Sequence, residues 1–273
     1  MNTTKIVNRA SRAFKTSSWL RIAVLAAFVF IAGCKKKESQ PDAGSTKSPT
    51  GTLLVHLHTN LDMEEVYGYN ITYTTSTGRQ ISLSKAQLYI SNIELVKTDG
   101  SVYSVPNTTL LQVFGTETYT IGGVPTGNYK SVRFNVGLDP ATNLKNPSTS
   151  SSDVLNTPSM WFGTTAQPQG YIFVNLQGKI DTTADASGTV ASMQPFNLLI
   201  GTDANYKKVV MPDKNFSVTP GTQLLHINTD YSKLFNGIKL SDSNNLMISS
   251  PSDNATSNGG AVAKNISSMF SYE

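Results

Sequence analysis

One cysteine in 273 residues excludes a disulfide framework within the chain, and three histidines leave little from which to build a catalytic triad. Charged side chains are sparse, at 15% of residues. The sequence has no G-x-S-x-G elbow, no H-E-x-x-H pair, no P-loop and no Rossmann fingerprint. Beyond residue 34 no segment keeps a helical apolar period for more than a couple of turns, which excludes a long-helix architecture. Together these absences point away from an enzyme. Paired carboxylates, which meet only in space, are the one catalytic arrangement left open.

What is present begins with a processing signal. Lys5, Arg9, Arg12, Lys15 and Arg21 precede an apolar run from Ile22 to Ala32, the order of a secretory n-region and h-region. The run is too short to span a bilayer, which takes roughly 20 apolar residues. It ends in Ile31-Ala32-Gly33-Cys34, which resembles the lipobox of bacterial lipoproteins, where the cysteine sulfur receives a diacylglycerol. The reading is therefore a signal peptide over 1–33, a lipidated Cys34, and a membrane partner reached through that lipid. An outer membrane is expected, with the periplasmic face preferred. Removing the signal takes five of the 22 basic residues with it and turns a formal charge of +4 into about −1. Only Lys35, Lys36 and Lys37 remain as a basic cluster, beside the anchor, so nucleic acid is not an expected partner. Residues 38–50, ESQPDAGSTKSPT, lack apolar side chains to bury, and 34–50 reads as lipidated cysteine plus flexible tether.

The rest, 51–273, is long enough for one domain with a proper core. Its periodicity is two. Leu53, Val55, Leu57 and Leu61 share one face of a strand, and Leu54, His56, His58 and Asn60 the other. Ile81 to Val96 is a second long strand with a bulge expected at Ser91-Asn92, followed by a Thr98-Asp99-Gly100 turn into 101–105. Further strands are expected at 118–121, 130–136, 170–177, 194–200, 207–211, 216–218 and 223–229, with Pro125-Thr126-Gly127 as a turn. Two polar segments, 139–157 and 249–260, read as long loops, and 232–235 and 261–270 as the short helices. The expected fold is all-β: an antiparallel sandwich of about eight to ten strands with one or two short C-terminal helices.

Five side chains stand out chemically. His56 and His58 lie two apart on one strand face, roughly 7 Å along the chain, and His226 lies in the last clear strand. If first and last strands are neighbours, three imidazoles meet, and imidazole suits copper or zinc. Ordinary polar-face positions are the plainer reading of an H-x-H pair. Trp161, the one tryptophan after the signal, is either core packing or a binding platform, and Met160 beside it is either a gap-filler or a soft thioether ligand. Asp139, Asp181, Asp185 and Asp203 sit in turns without the spacing of a calcium loop, so Asx-turns account for them.

Five segments carry a resemblance in family order: LSKAQLYISNIELVKTDG (83–100), GGVPTGNYKSVRFNVGLDP (122–140), GYIFVNLQGKID (170–181), PFNLLIGTD (195–203) and KNISSMF (264–270). Together they resemble the MbnP-like domain of bacterial lipoproteins and periplasmic proteins, many of the Bacteroidetes type, named for a methanobactin-associated copper-binding protein. The resemblance implies a non-enzymatic β domain linked to copper, held in relatives by histidines and by a tryptophan oxidised to kynurenine. A dihaem peroxidase-like partner performs that oxidation. His58 is similar to the family's first-strand histidine, and Trp161 lies where relatives place a Met-Tyr-Trp motif. One departure is plain: Leu198-Leu199-Ile200-Gly201 stands where relatives carry a histidine, at the position of Leu199. The expected site is thus copper on His56, His58 and His226, with Trp161 and Met160 as modified or ligand-contacting residues. The rival is a metal-free ligand- or protein-binding module accessory to an outer-membrane transporter or oxidase.

Overall fold

The computed structural model describes residues 48–62 and 64–273. The signal segment, Cys34, the lysines after it and most of the tether lie outside the described residues. None of the described helices is long and apolar enough to cross a membrane.

Sixteen strands are present among the described residues. The first eight are β1 (Thr50–Leu61), β2 (Glu64–Glu65), β3 (Thr72–Thr74), β4 (Gln80–Lys97), β5 (Val102–Ser104), β6 (Thr109–Val113), β7 (Thr118–Pro125) and β8 (Gly127–Val136). The second eight are β9 (Trp161–Gly163), β10 (Pro168–Ile180), β11 (Gln194–Gly201), β12 (Lys207–Val210), β13 (Phe216–Val218), β14 (Thr222–Asp230), β15 (Met247–Ile248) and β16 (Phe270–Tyr272). A five-stranded sheet runs β16-β14-β1-β2, with β7 also on β1. An eleven-stranded sheet runs β12-β8-β4-β10-β11-β15, with β3, β5 and β6 on β4, β9 on β10 and β13 on β8. Alternation along β1, β4, β10 and β14 turns Leu53, Val55, Leu57, Leu88, Val174, Leu176, Leu225 and Ile227 into one shared core.

The expected sandwich is therefore observed, with three corrections. Strands outnumber the expected eight to ten because β2, β3, β9, β15 and β16, of two or three residues, cannot display an alternation in sequence, and the five-residue β6 was also unanticipated. The sheets are mixed rather than antiparallel: β1 pairs β14 in parallel, Thr52 opposite Thr222 through Asn60 opposite Asp230, and β11 pairs β15 in parallel. β14 joins the first sheet only after most of the second sheet, β3 to β13 apart from β7, has been passed in the chain.

The third correction concerns the helices and the tether. Segment 249–260 is largely helical, with α2 (Pro251–Asn254) and α3 (Ser257–Lys264) following α1 (Pro140–Asn143). Ser250 and Asp253 form a reciprocal capping box around Pro251, and Thr256 caps the next helix through Gly259 N. Polar caps, rather than an apolar stripe, specify these turns. The expected helix 261–270 ends early, because Phe270 already belongs to β16, where it meets Phe134 edge to face at 4.9 Å. At the other end Thr50, assigned to the tether, pairs with Pro125 as the first residue of β1.

The bulge falls where the sequence put it. Pairing of β4 with β8 shifts register between Ser91 and Glu94, and Asn92 adopts φ 49°, its amide donating to the Tyr206 hydroxyl at 2.6 Å. On β10, Gly178 meets β4 so closely that a Cβ there would collide with the Ser82 carbonyl. Glycine is what lets β10 and β4 approach at their own register shift.

Candidate metal centre

On β1 the inward positions are leucine and valine, so the residues between them are forced outward. His56 and His58 thus stand on the outer face of the five-stranded sheet. Leu225 and Ile227 do the same for β14 and turn His226 out. The parallel register then sets His56 directly opposite His226 and His58 opposite Asn228. The condition attached to the three histidines, neighbouring first and last strands, is met.

The imidazoles converge. Ring centroids of His56 and His58 are 4.2 Å apart, those of His56 and His226 5.0 Å, and those of His58 and His226 5.4 Å, all near-parallel. His58 Nε2 lies 3.1 Å from His226 Nδ1. One ring nitrogen from each residue can be chosen so that all three lie within 4.8 Å of one another. Ligand atoms about 2.0–2.1 Å from a tetrahedral ion stand about 3.3 Å apart. The His58–His226 pair already has that separation, and His56 lies with them inside the 4.8 Å cluster.

Three carboxylates surround the rings, none of which the sequence reading identified. Glu65, on β2, places Oε1 3.1 Å from His58 Nδ1. Glu117, just before β7, places Oε2 3.0 Å from His56 Nε2, where Thr118 Oγ1 also lies 3.4 Å from Nδ1. Glu273 Oε2 is 2.9 Å from His226 Nδ1. His58 is the most enclosed, with 14% of its side chain exposed against 19% for His56 and 38% for His226. A face so built attracts cations and holds its rings by hydrogen bonds on their ring nitrogens, as carboxylates do around metal-bound histidines.

Trp161 and Met160 are elsewhere. Both are buried, and Trp161 pairs with Tyr171 of β10. Met160 joins Tyr89, Leu138, Tyr171 and Phe173 in a second apolar cluster on the outer face of the eleven-stranded sheet. Burial raises the Tyr89 phenol well above its ordinary range, and its hydroxyl donates to Val154 O at 2.8 Å. Leu199 faces the same way, opposite Asn175, whose amide donates to Ser159 O. The histidine expected at position 199, and the tryptophan, thus belong to one side of the sandwich and His56, His58 and His226 to the other. Packed sheets lie about 10 Å apart, so a histidine at position 199 would stand on the face opposite the three histidines.

The aspartate turns are structural. Asp139 caps α1 through Thr142 N, and Asp185 accepts from Ser187 N. Asp181, fully buried, accepts from Thr183 N at 2.9 Å, Thr183 Oγ1 at 2.8 Å and Gly188 N at 3.2 Å. Burial opposes its ionisation, but these bonds and the nearby Arg79 outweigh burial and hold the carboxyl below its ordinary pKa.

Comparison with known proteins agrees with this architecture. No curated protein matches the sequence. Among solved structures, MbnP from Methylosinus trichosporium matches with a TM-score of 0.51 at 18% identity, over 70% of this chain and 80% of that one. At that identity the likeness is one of fold. The family model MbnP matches residues 50–249, which takes in β1 with His56 and His58, β14 with His226, and nearly all of both sheets. The chain belongs to the MbnP family.

Proposed function

We propose that this chain is a lipid-anchored, non-enzymatic metal-binding protein of a bacterial envelope, and that its metal is copper held by His56, His58 and His226. The observation that carries the reading is the convergence of all three histidines of the chain on one face, with His58 Nε2 and His226 Nδ1 at a separation suited to two ligands of one ion. Imidazole is a favoured donor for copper, and the family resemblance points to the same element. Cys34 supplies the anchor, and the tether that follows it up to β1 supplies the span from the membrane. A dihaem peroxidase-like protein is the partner that the resemblance suggests. The burial of Trp161 on the far side of the sandwich supports a packing role for it rather than a share in this centre.

Copper titration of the metal-free full-length chain, followed by equilibrium competition, tests the proposal. One stoichiometric site is expected, abolished in the His58→Ala/His226→Ala double variant while far-UV circular dichroism stays unchanged. A wild-type chain without a stoichiometric site, or a double variant that binds as tightly, overturns it.

A further inference from the structure

β16 runs antiparallel to β14 with Thr229 opposite Phe270, Asn228 opposite Ser271 and Ile227 opposite Tyr272. One more step of this register brings Glu273 opposite His226, and directly opposed residues share a face. The side chain reaches further than an ion pair with His226 requires. Its Oε2 is 2.9 Å from His226 Nδ1 and 3.5 Å from His58 Nε2, while those nitrogens are 3.1 Å from one another. Three ligand-type atoms therefore form a nearly equilateral triangle with the edge lengths of one face of a coordination tetrahedron, about 3.3 Å for bonds of about 2.0–2.1 Å.

The other two carboxylates are placed differently. Glu65 touches Nδ1 of His58, the nitrogen opposite the one that faces His226, which is the position of a group that orients a ligand. Of the three histidines, the Glu117 carboxylate contacts His56 alone. Glu273 is also held in place by its surroundings. The Tyr272 hydroxyl accepts from Val132 N at 3.1 Å, Lys214 Nζ donates to the main-chain oxygen of Glu273 at 2.6 Å, and Lys214 lies over the Tyr272 ring at 5.2 Å.

We propose, on the reading that the three histidines hold a metal, that Glu273 is the fourth protein ligand and that its carboxylate makes the centre select a divalent ion, Cu(II) or Zn(II), over Cu(I). A charged oxygen donor stabilises the harder, doubly charged ion and adds little for soft Cu(I). The strand β16 is then part of the centre, since the ion joins β16, β14 and β1 across three neighbouring strands.

Competition titrations of the full-length chain with Cu(II), Zn(II) and Cu(I), on wild type, Glu273→Gln and Glu65→Gln, test the assignment. Glu273→Gln keeps the size and loses the charge, on a side chain that is 57% exposed. Expected is a loss of at least about tenfold for Cu(II) and Zn(II), with Cu(I) changed by less than about threefold. The visible absorption of the Co(II)-loaded protein should change in Glu273→Gln and keep its band shape in Glu65→Gln, because only the former alters the bound donor set. Equal losses for Cu(I) and Cu(II), or unchanged affinities with an unchanged Co(II) spectrum, overturn the assignment and leave the three-histidine site standing. A wild-type chain that binds none of the metals brings down the histidine site itself.

Discussion

Replacing Asp181 by asparagine removes one oxygen and one charge from a site with no exposure to solvent. The carboxylate lies just after β10 and ties the connection to β11: Oδ1 takes Thr183 N and Oγ1, Oδ2 takes Gly188 N, and Arg79 Nη1 stands 3.8 Å away. Whichever way an amide turns, its NH₂ faces an N–H or O–H that now lacks an acceptor. A hydrogen bond to a charged group contributes about 1.5–3 kcal/mol, and a buried donor left unpaired costs about 1–3 kcal/mol. About 3 kcal/mol is therefore expected, and at about 2–4 °C per kcal/mol for a domain of this size Tm should fall by about 6–12 °C. The pH dependence follows from the lowered carboxyl. A depressed folded-state pKa confers stability that is complete above the unfolded value and is lost as pH falls through the folded one. The gap between wild type and Asp181→Asn should be full at neutral pH and close only below the ordinary 3.8. Calorimetric melts of both proteins from neutral pH down to about pH 3 measure it. A neutral-pH Tm that moves by less than about 2 °C, or a gap that widens with acid, would refute the reasoning.

Leu199→His and Trp161→Phe should each leave copper affinity at the three histidines within about twofold, as expected for sites separated by the thickness of the sandwich. A tenfold change in competition titrations of either variant would place these residues at the centre after all. Cys34→Ser should yield a chain that no longer partitions into the detergent phase, because the proposed acyl chains supply the membrane affinity. Partitioning equal to wild type would rule the lipid out.

Long strands were legible because aliphatic residues alternate with polar ones, Leu53, Val55 and Leu57 in β1 and Leu225 and Ile227 in β14, and the Ser91-Asn92 bulge because asparagine accepts a positive φ. The outward orientation of His56, His58 and His226 followed from the same alternation. Their meeting did not: the parallel pairing of β1 with β14 depends on how the second sheet is wound, which no local pattern records. Glu65, Glu117 and Glu273 escaped notice because an exposed glutamate at a strand end is common, and only cross-strand register distinguishes these three. The placement of Trp161 was hidden for another reason. It is buried where 139–163 folds over the outer face of the second sheet, and a polar sequence rich in Ser, Thr and Asn gives no sign of covering an apolar cluster.

The parallel pairing of β1 with β14 also bears on how the molecule is fastened. His58 and His226 are 168 residues apart in sequence yet touch. An ion gripping both closes a loop of that length, a constraint on the unfolded chain of the kind a long-range disulfide imposes. The sole cysteine cannot make such a link within the chain, so coordination is the cross-link open to it. The grip also cannot exist in a truncated or half-emerged polypeptide, because its second half is contributed only once β14 has docked. Occupancy by metal would then mark a chain whose two ends have found each other, and withdrawal of the ion would loosen the first sheet at its central pair of strands.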